Sequence, residues 1–246
     1  MQIKAIVCDL DGTLAPSKSS LQPDMAKVII KILEKYKMAV VTGGSYEQFK
    51  KQFISNLPNS DYLTNLFLFP TNGSACYIYN TNSGFTKLYS EELSDDEKKQ
   101  IFDALNITIQ ESNFDFSNPY GEIIEDRGSQ ISFSGRGQLA PLEIKEKWDP
   151  DQVKRKYLIS ILKKYISNFE IRIGGTTTID ITRMGINKAY AIGKILELMK
   201  LNKEELLFIG DALYEGGNDY TVIQTGIQCR SVSGPDETKD ILSAFL

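Results

Sequence analysis

Histidine is missing altogether from this chain of 246 residues. That excludes a histidine-based triad, a histidine metal ligand and an imidazole general base, so proton and nucleophile chemistry falls to carboxylates, lysine, tyrosine, cysteine or hydroxyls. Cysteine is scarce as well. Cys8, Cys76 and Cys229 are odd in number and far apart, which suits neither a disulfide frame nor a zinc site and reads as small apolar side chains in a reducing compartment. No apolar run approaches twenty residues and no leader-like stretch precedes the first strand candidate, so the expectation is a cytoplasmic protein with no membrane partner. Basic stretches are lacking too. With 28 Lys and Arg against 32 Asp and Glu, the formal net charge is −4, and nothing is concentrated enough to grip a nucleic-acid backbone. Internal repeats and low-complexity segments are absent from the sequence.

What remains is ordinary globular composition, 41% hydrophobic and 24% charged, in a chain long enough for one large domain or a core carrying an inserted smaller one. Its most informative stretch comes at the start. Ile3–Cys8 reads as a short β-branched strand, followed at once by Asp9-Leu10-Asp11-Gly12-Thr13-Leu14. Side chains at i and i+2 of a strand share a face, so Asp9 and Asp11 can converge on one point at its end. Taken alone, the same residues also suit a plain turn.

Along the chain, Pro23 opens a helix reaching about Lys37, with Met25, Val28, Ile29, Ile32 and Leu33 on one face. Met38–Val41 is a second strand, ending in Thr42-Gly43-Gly44-Ser45 ahead of a helix from Tyr46 to about Asn56. Strand, hydroxyl, glycines and helix N-terminus together can cradle a phosphate, although a capped helix after a glycine turn has the same pattern. Leu66–Phe69 is a third strand, and Ala75–Tyr79 with Phe85–Tyr89 reads as a hairpin. The β-α-β-α-β alternation predicts a parallel sheet with right-handed crossovers.

From about Leu88 the pattern changes to a helix over Ser94–Leu105, short strands at Glu122–Glu125, Gln130–Ser134, Glu170–Ile173 and Thr177–Thr182, and a long helix over Pro150–Ile166. We therefore expect an α/β protein: a Rossmann-like parallel-sheet core over 1–87 and 186–246, with an α+β cap inserted over 88–185. The parallel pattern resumes with a helix over Asn187–Met199, strand Leu206–Gly210, a helix over Asp219–Thr225, a strand near Ile227–Val232 and a closing helix over Asp236–Phe245.

Strand Leu206–Gly210 delivers Asp211 at its end, and Gly216-Gly217-Asn218-Asp219 delivers another carboxylate eight residues on. In a parallel sheet, ligands gather beyond the carboxyl ends of the strands, where Asp9, Asp11, Thr42, Asp211 and Asp219 would all lie. Four crowded carboxylates repel one another, which implies a divalent cation, and all-oxygen ligands suit Mg²⁺. Lys188, ahead of that strand, would supply a fixed positive charge for a phosphoryl group; by itself it would read as a surface lysine.

Asp9-Leu10-Asp11-Gly12-Thr13, Thr42-Gly43, Lys188 and Gly210-Asp211…Asn218-Asp219, in that order, resemble the haloacid dehalogenase superfamily of phosphoryl transferases, in its form with a type IIB α+β cap. Nearly the whole chain is similar to the eukaryotic-type phosphomannomutases. The stretches that carry this are Gly43-Gly44-Ser45, Ile124-Glu125-Asp126-Arg127…Ser134-Gly135-Arg136, Gly174-Gly175…Thr178-Ile179-Asp180, Gly216-Gly217-Asn218-Asp219 and Pro235-Asp236-Glu237-Thr238. The resemblance implies that Asp9 is a nucleophile forming an aspartyl-phosphate and Asp11 the general acid/base. Asp9, the backbone carbonyl of Asp11 and Asp211 would hold Mg²⁺, with Asn218 and Asp219 in support. Thr42 and Lys188 would hold the transferring phosphoryl group. Gly43, Gly44, Arg127, Arg136, Thr178 and Asp180 would bind substrate, a small phosphorylated metabolite such as a sugar phosphate. A homodimer through the cap is an assembly the resemblance allows.

Three departures bear on the reaction. The mutases carry an arginine seven residues after the one matching Arg136, where this chain has Glu143 with Lys145 nearby. They tend to carry an aliphatic residue where this chain has Thr42, the hydroxyl usual in the phosphatases. The Arg127–Arg136 spacing is also shorter here. The first two favour hydrolysis of a sugar phosphate or similar metabolite, with a phosphohexomutase interconverting hexose 1- and 6-phosphates as the alternative.

Overall fold

A computed structural model describes residues 2–246. In chain order, β1 (Ala5–Asp9), α1 (Pro23–Leu33), β2 (Lys37–Val41), α2 (Tyr46–Gln52), β3 (Leu66–Phe69), β4 (Ala75–Asn80) and β5 (Gly84–Ser90) come first. They are followed by α3 (Asp95–Glu111), β6 (Ile124–Asp126), β7 (Ile131–Ser134), α4 (Leu142–Trp148), α5 (Val153–Tyr165), β8 (Phe169–Gly174) and β9 (Thr178–Arg183). The chain closes with α6 (Lys188–Met199), β10 (Leu206–Gly210), α7 (Tyr220–Ile223), β11 (Gln228–Ser231) and α8 (Pro235–Ser243). Two compact units result: the residues up to Ser90 together with Ile186–Leu246, and Glu91–Gly185. No helix among the described residues is long and apolar enough to cross a membrane.

In the larger unit the sheet order is β11-β10-β1-β2-β3-β4-β5. The first five strands are parallel and β4 and β5 add an antiparallel edge. β1 is a central strand, fully buried along its length, as expected where helices cover both faces of a parallel sheet. Strand alternation then decides where the first carboxylate goes. Ile6 and Cys8 join the apolar cluster of α1 and α8, whereas Ala5 and Val7 join the cluster containing Ala191, Ile192 and Ile195 of α6. Asp9 continues the second series, so it lies on the face covered by α6.

In the smaller unit β6-β7-β9-β8 form an antiparallel sheet. Ile131, Phe133, Ile179 and Ile181 pack against Ile101 and Leu105 of α3 and Leu158 and Leu162 of α5. The opposite face carries the alternate residues, in which Ser132 pairs with Asp180 and Arg172 pairs with Asp180 in register. It is therefore polar.

Several element boundaries differ from those expected. The first helix stops at Leu33, because Lys37 already begins β2. The second breaks at Gln52 into a separate 3₁₀ turn at Ile54–Asn56. The expected helix over Ser94–Leu105 runs on to Glu111, since Thr108 continues the buried face of Ile101, Ala104 and Leu105. The expected helix over Pro150–Ile166 starts only at Val153, after a separate α4 that periodicity did not reveal. Asp149 decides this: its carboxylate accepts from the Lys154 and Arg155 backbone N–H groups at 2.9 and 3.1 Å, capping α5 from outside. The helix expected over Asp219–Thr225 is the single turn of α7.

Ser94 and Glu97 form a reciprocal capping box at the start of α3. Glu97 also takes Arg183 in a bidentate pair at 2.8 and 2.7 Å. The arginine and the Ser94 N–H hold its carboxyl at about 2. Because the folded value lies below the ordinary 4.5, the stabilisation is complete above that pH and is lost as pH falls toward 2. Glu97→Gln is expected to lower the melting temperature at pH 7 and to flatten its fall between pH 4.5 and 2. A wild-type slope in the variant's acid melting curves would contradict this.

Candidate active site

Four of the expected residues meet at the carboxyl ends of β1 and β10. Lys188 is the first residue of α6, and its Nζ lies 2.5 Å from Asp9 Oδ1 and hydrogen-bonds Asp219 Oδ1. All three side chains are buried. Asp219 uses its other oxygen to accept the Ala212 N–H at 3.2 Å, so it braces both Lys188 and the loop after β10. Asp9, Asp211 and Asp219 each offer a carboxylate oxygen within 4.8 Å of the others.

Burial pushes the Asp9 carboxyl well above the ordinary carboxylate range; Lys188 pulls it back, while Asp219 and Asp11 repel it further. Asp211 is raised by its partial burial and then by Asp219. Burial alone would lower Lys188, but Asp219 and Asp9 more than reverse that and keep it protonated. Three carboxylates against one ammonium leave an excess of two negative charges, which a divalent cation would neutralise.

The residues fit such an ion. Asp9 Oδ2 is fully buried and has no hydrogen-bond partner, a costly arrangement for a carboxylate oxygen unless something else meets it. Gly12 has φ +84°, and a Cβ there would lie 2.5 Å from Asp211 Oδ2, so only glycine lets the turn and Asp211 come together. Thr13 Oγ1 donates to Asp211 Oδ1 at a long 3.4 Å.

Asp11 stands apart from the three clustered carboxylates. Its Oδ1 accepts the Lys18 N–H at 2.6 Å and Gln52 Nε2 at 3.1 Å, which orients it from the Ala15–Gln22 loop and the end of α2. Asn218 is exposed. Thr42 is buried; its Oγ1 accepts the Gly44 N–H at 3.1 Å, which leaves the hydroxyl hydrogen free to donate. The Gly44 amide is thereby engaged within the loop, so of the two glycine N–H groups expected to cradle phosphate, this one faces Thr42 instead.

In the smaller unit the four expected substrate residues do not form one group. Arg127 and Asp180 are neighbours, with NH1 to Oδ1 at 3.8 Å. Arg127 also holds Glu125 through Nε at 2.7 Å and NH2 at 2.6 Å, and Asp180 accepts Ser132 Oγ at 2.7 Å. Thr178 is two residues before Asp180 on β9, facing the same way. Arg136 lies elsewhere, lining a cavity of about 370 Å³ with Phe114, Trp148 and Lys154.

Sequence reading missed Glu125, Gln52 and Arg155. Arg155 is buried, bound to Asp149 at 2.7 Å, and its NH1 donates to the carbonyls of Gly174 and Gly175 at 3.0 and 2.7 Å. It fixes the backbone that leads into Thr178. Nothing in local spacing marks it, because a helical arginine ordinarily faces solvent.

A family model described as haloacid dehalogenase-like hydrolase matches residues 6–226. The chain belongs to that family. Among its relatives, the phosphomannomutase of Spinacia oleracea is 27% identical across 97% of this chain and 94% of its own length. Among solved structures, a C-terminally truncated Plasmodium falciparum IMP-nucleotidase superposes with a TM-score of 0.74 at 20% identity, over 99% of this chain and 71% of that one. The sucrose-phosphatase of Synechocystis sp. PCC6803 does so with a TM-score of 0.56 at 16% identity, over 94% and 83%. At such identities the two structures establish the shared fold alone. This haloacid dehalogenase-like protein is an enzyme, a hydrolase or a mutase by its family and relatives.

Proposed function

We propose that the protein is a Mg²⁺-dependent phosphatase that hydrolyses a sugar phosphate or a similar small phosphomonoester through an aspartyl-phosphate on Asp9. The observation that carries this reading is the pair of Asp9 oxygens: Oδ1 is held by Lys188 while Oδ2 is buried and unpartnered. Oδ2 would meet the ion, and Oδ1, oriented by Lys188, would attack phosphorus.

Asp9, the Asp11 carbonyl and Asp211 would hold Mg²⁺. When bound, the ion supplies charge neutralisation and orients the phosphoryl group. Asp219 acts mainly as the brace that keeps Lys188 on Asp9, and Lys188 offsets negative charge on the transferring group. Thr42 donates its hydroxyl hydrogen to a phosphoryl oxygen. Asp11, held by the Lys18 N–H and Gln52, gives a proton to the leaving oxygen and later withdraws one from the attacking water. In the smaller unit, Arg127, Thr178 and Asp180 would bind the leaving group, and the unit would serve as the specificity cap; Arg136 would contribute from its separate position.

A phosphohexomutase is the second reading, favoured by the near full-length similarity to phosphomannomutases. Two observations support hydrolysis over it. Glu143 is exposed on α4, where the mutases carry an arginine, and Lys145 cannot take that role because its buried Nζ donates to the Gln138 carbonyl at 2.7 Å. Thr42 supplies the hydroxyl usual in the phosphatases.

Phosphate release from a panel of metabolites, with and without a hexose bisphosphate activator, separates the two. Release without activator is expected; mannose 6-phosphate formed from mannose 1-phosphate only with activator would establish the mutase instead. The metal is tested without turnover. Mg²⁺ at a hundred times its dissociation constant stabilises the fold by about 2.7 kcal/mol, roughly 5–11 °C in melting temperature for a chain of this size. Asp211→Asn is expected to remove most of that shift, and a wild-type protein whose melting point ignores Mg²⁺ would refute the assignment.

A further inference from the structure

One buried side chain of the larger unit is held in a way that packing does not explain. Gln52, the last residue of α2, is 5% exposed, and its Oε1 is enclosed with no hydrogen-bond partner. An amide oxygen left unmet in this way costs stability, and a hydrophobic side chain of similar volume would avoid that cost. The Nε2 end, by contrast, is fully employed. It donates to Asp11 Oδ1 at 3.1 Å and to the Ser19 carbonyl at 3.3 Å. The Gln52 carbonyl also accepts the Leu21 N–H at 2.8 Å, so this one residue ties the Asp11 carboxyl and the loop after it to the end of α2.

The other donor to Asp11 comes from an unfavourable backbone. Lys18 lies in the left-handed region at φ +54°, which a lysine rarely adopts, and from there its N–H donates to the same Oδ1 at 2.6 Å. Both donors converge on one oxygen, and among the described residues no hydrogen bond reaches Oδ2. Asp11 is only half-buried, which leaves Oδ2 as the oxygen a reacting group can reach. Gripping one carboxyl oxygen fixes the direction of the other, and proton delivery to a leaving oxygen requires that fixed direction.

We propose that Gln52 is a positioning residue for proton transfer, aiming Asp11 Oδ2 at the oxygen that leaves phosphorus. As the bond from Asp9 to phosphorus forms and the ester P–O bond breaks, the leaving oxygen keeps the electron pair and takes the Oδ2 proton. Asp11 is then a carboxylate with both Oδ1 bonds intact. The proposal rests on the reading of Asp11 as general acid/base in the phosphatase above.

The test compares p-nitrophenyl phosphate, which expels a stable anion, with phenyl phosphate and glucose 6-phosphate, whose leaving oxygens need the proton. In Gln52→Met, kcat/KM is expected to fall roughly tenfold to a hundredfold on the latter two and less than about threefold on p-nitrophenyl phosphate, a part of what a general acid supplies. The melting temperature should stay near that of the wild type, because the unmet oxygen is lost together with the donor. Gln52→Glu keeps the size but sets an acceptor against Oδ1, and it should lose at least as much on the same two esters. Asp11→Asn should show the same selectivity, with no further change when Gln52→Met is added. Equal losses on all three esters, wild-type activity in Gln52→Glu, additive losses in the double variant or a Gln52→Met chain that does not fold would each overturn the proposal. Selective loss in Asp11→Asn alone would overturn it while leaving Asp11 in its role. An even loss in Asp11→Asn, or a wild type that cleaves none of the esters, would refute the underlying reading first and the proposal with it.

Discussion

Asp9→Asn is expected to lower kcat for every phosphate ester the wild type cleaves by at least about 10⁴-fold, the scale seen when a nucleophile is removed from an enzyme that works through a covalent intermediate. The amide keeps the shape of the carboxyl but has little nucleophilicity, and its nitrogen cannot replace both oxygens at the cluster. Folding should survive. Burial and the repulsion of Asp219 and Asp11 already push the Asp9 carboxyl well above its ordinary range, so the native chain is destabilised by that buried charge and the variant is relieved of it. In metal-free buffer the variant should therefore melt no lower than wild type, the pattern of a site whose function costs stability. Phosphate release and calorimetry on the same sample check both statements. Activity retained by a well-folded Asp9→Asn protein would remove Asp9 from the role of nucleophile.

Lys188→Met is expected to produce the largest loss of stability in the molecule. The ammonium is buried between Asp9 and Asp219, and a buried ion pair stripped of one partner costs about 3–5 kcal/mol because the remaining charge has nothing to meet it. For a chain of this length that is roughly 6–20 °C in melting temperature. Two controls distinguish this cause from simple misfit. Lys188→Met with Asp219→Asn should recover part of the melting temperature and none of the activity, giving a coupling energy between the sites. Acidification should also narrow the gap to wild type. Carboxylates whose folded-state affinity for protons is raised lose stability above their unfolded pKa and regain it as pH falls and they are protonated. A deficit unchanged between pH 7 and 5 and untouched by Asp219→Asn would mean that methionine packs poorly and that electrostatics is not the source.

The two experiments probe one design. Asp9 is placed by strand parity, Lys188 by the first turn of α6 and Asp219 by the start of α7, three elements that meet only because β1, β10 and their helices are adjacent in the sheet. Asp9, Lys188 and the neighbouring Asp211 are raised in proton affinity by their surroundings, and Asp219 acts through two hydrogen bonds.

The strand-turn pattern of residues 3–14, the glycine at position 12, the Thr42 loop and the carboxylates after the β10 strand were all legible in the sequence, because period-two alternation and turn chemistry are local properties. That the carboxylates gather at one sheet edge also followed, since a parallel sheet sends its strand ends to the same side. The tertiary structure alone decided which oxygen of Asp9 has no hydrogen bond, that Asp219 accepts from both Lys188 and the Ala212 N–H, and that Gln52 steers Asp11. It also separated Arg136 from Arg127 and Asp180 and gave Arg127 the Glu125 carboxylate. These outcomes depend on pairs up to 179 residues apart in the chain, as with Lys188 and Asp9. Local periodicity states only which face a side chain takes, and what it meets on that face is set by the elements that topology packs against it.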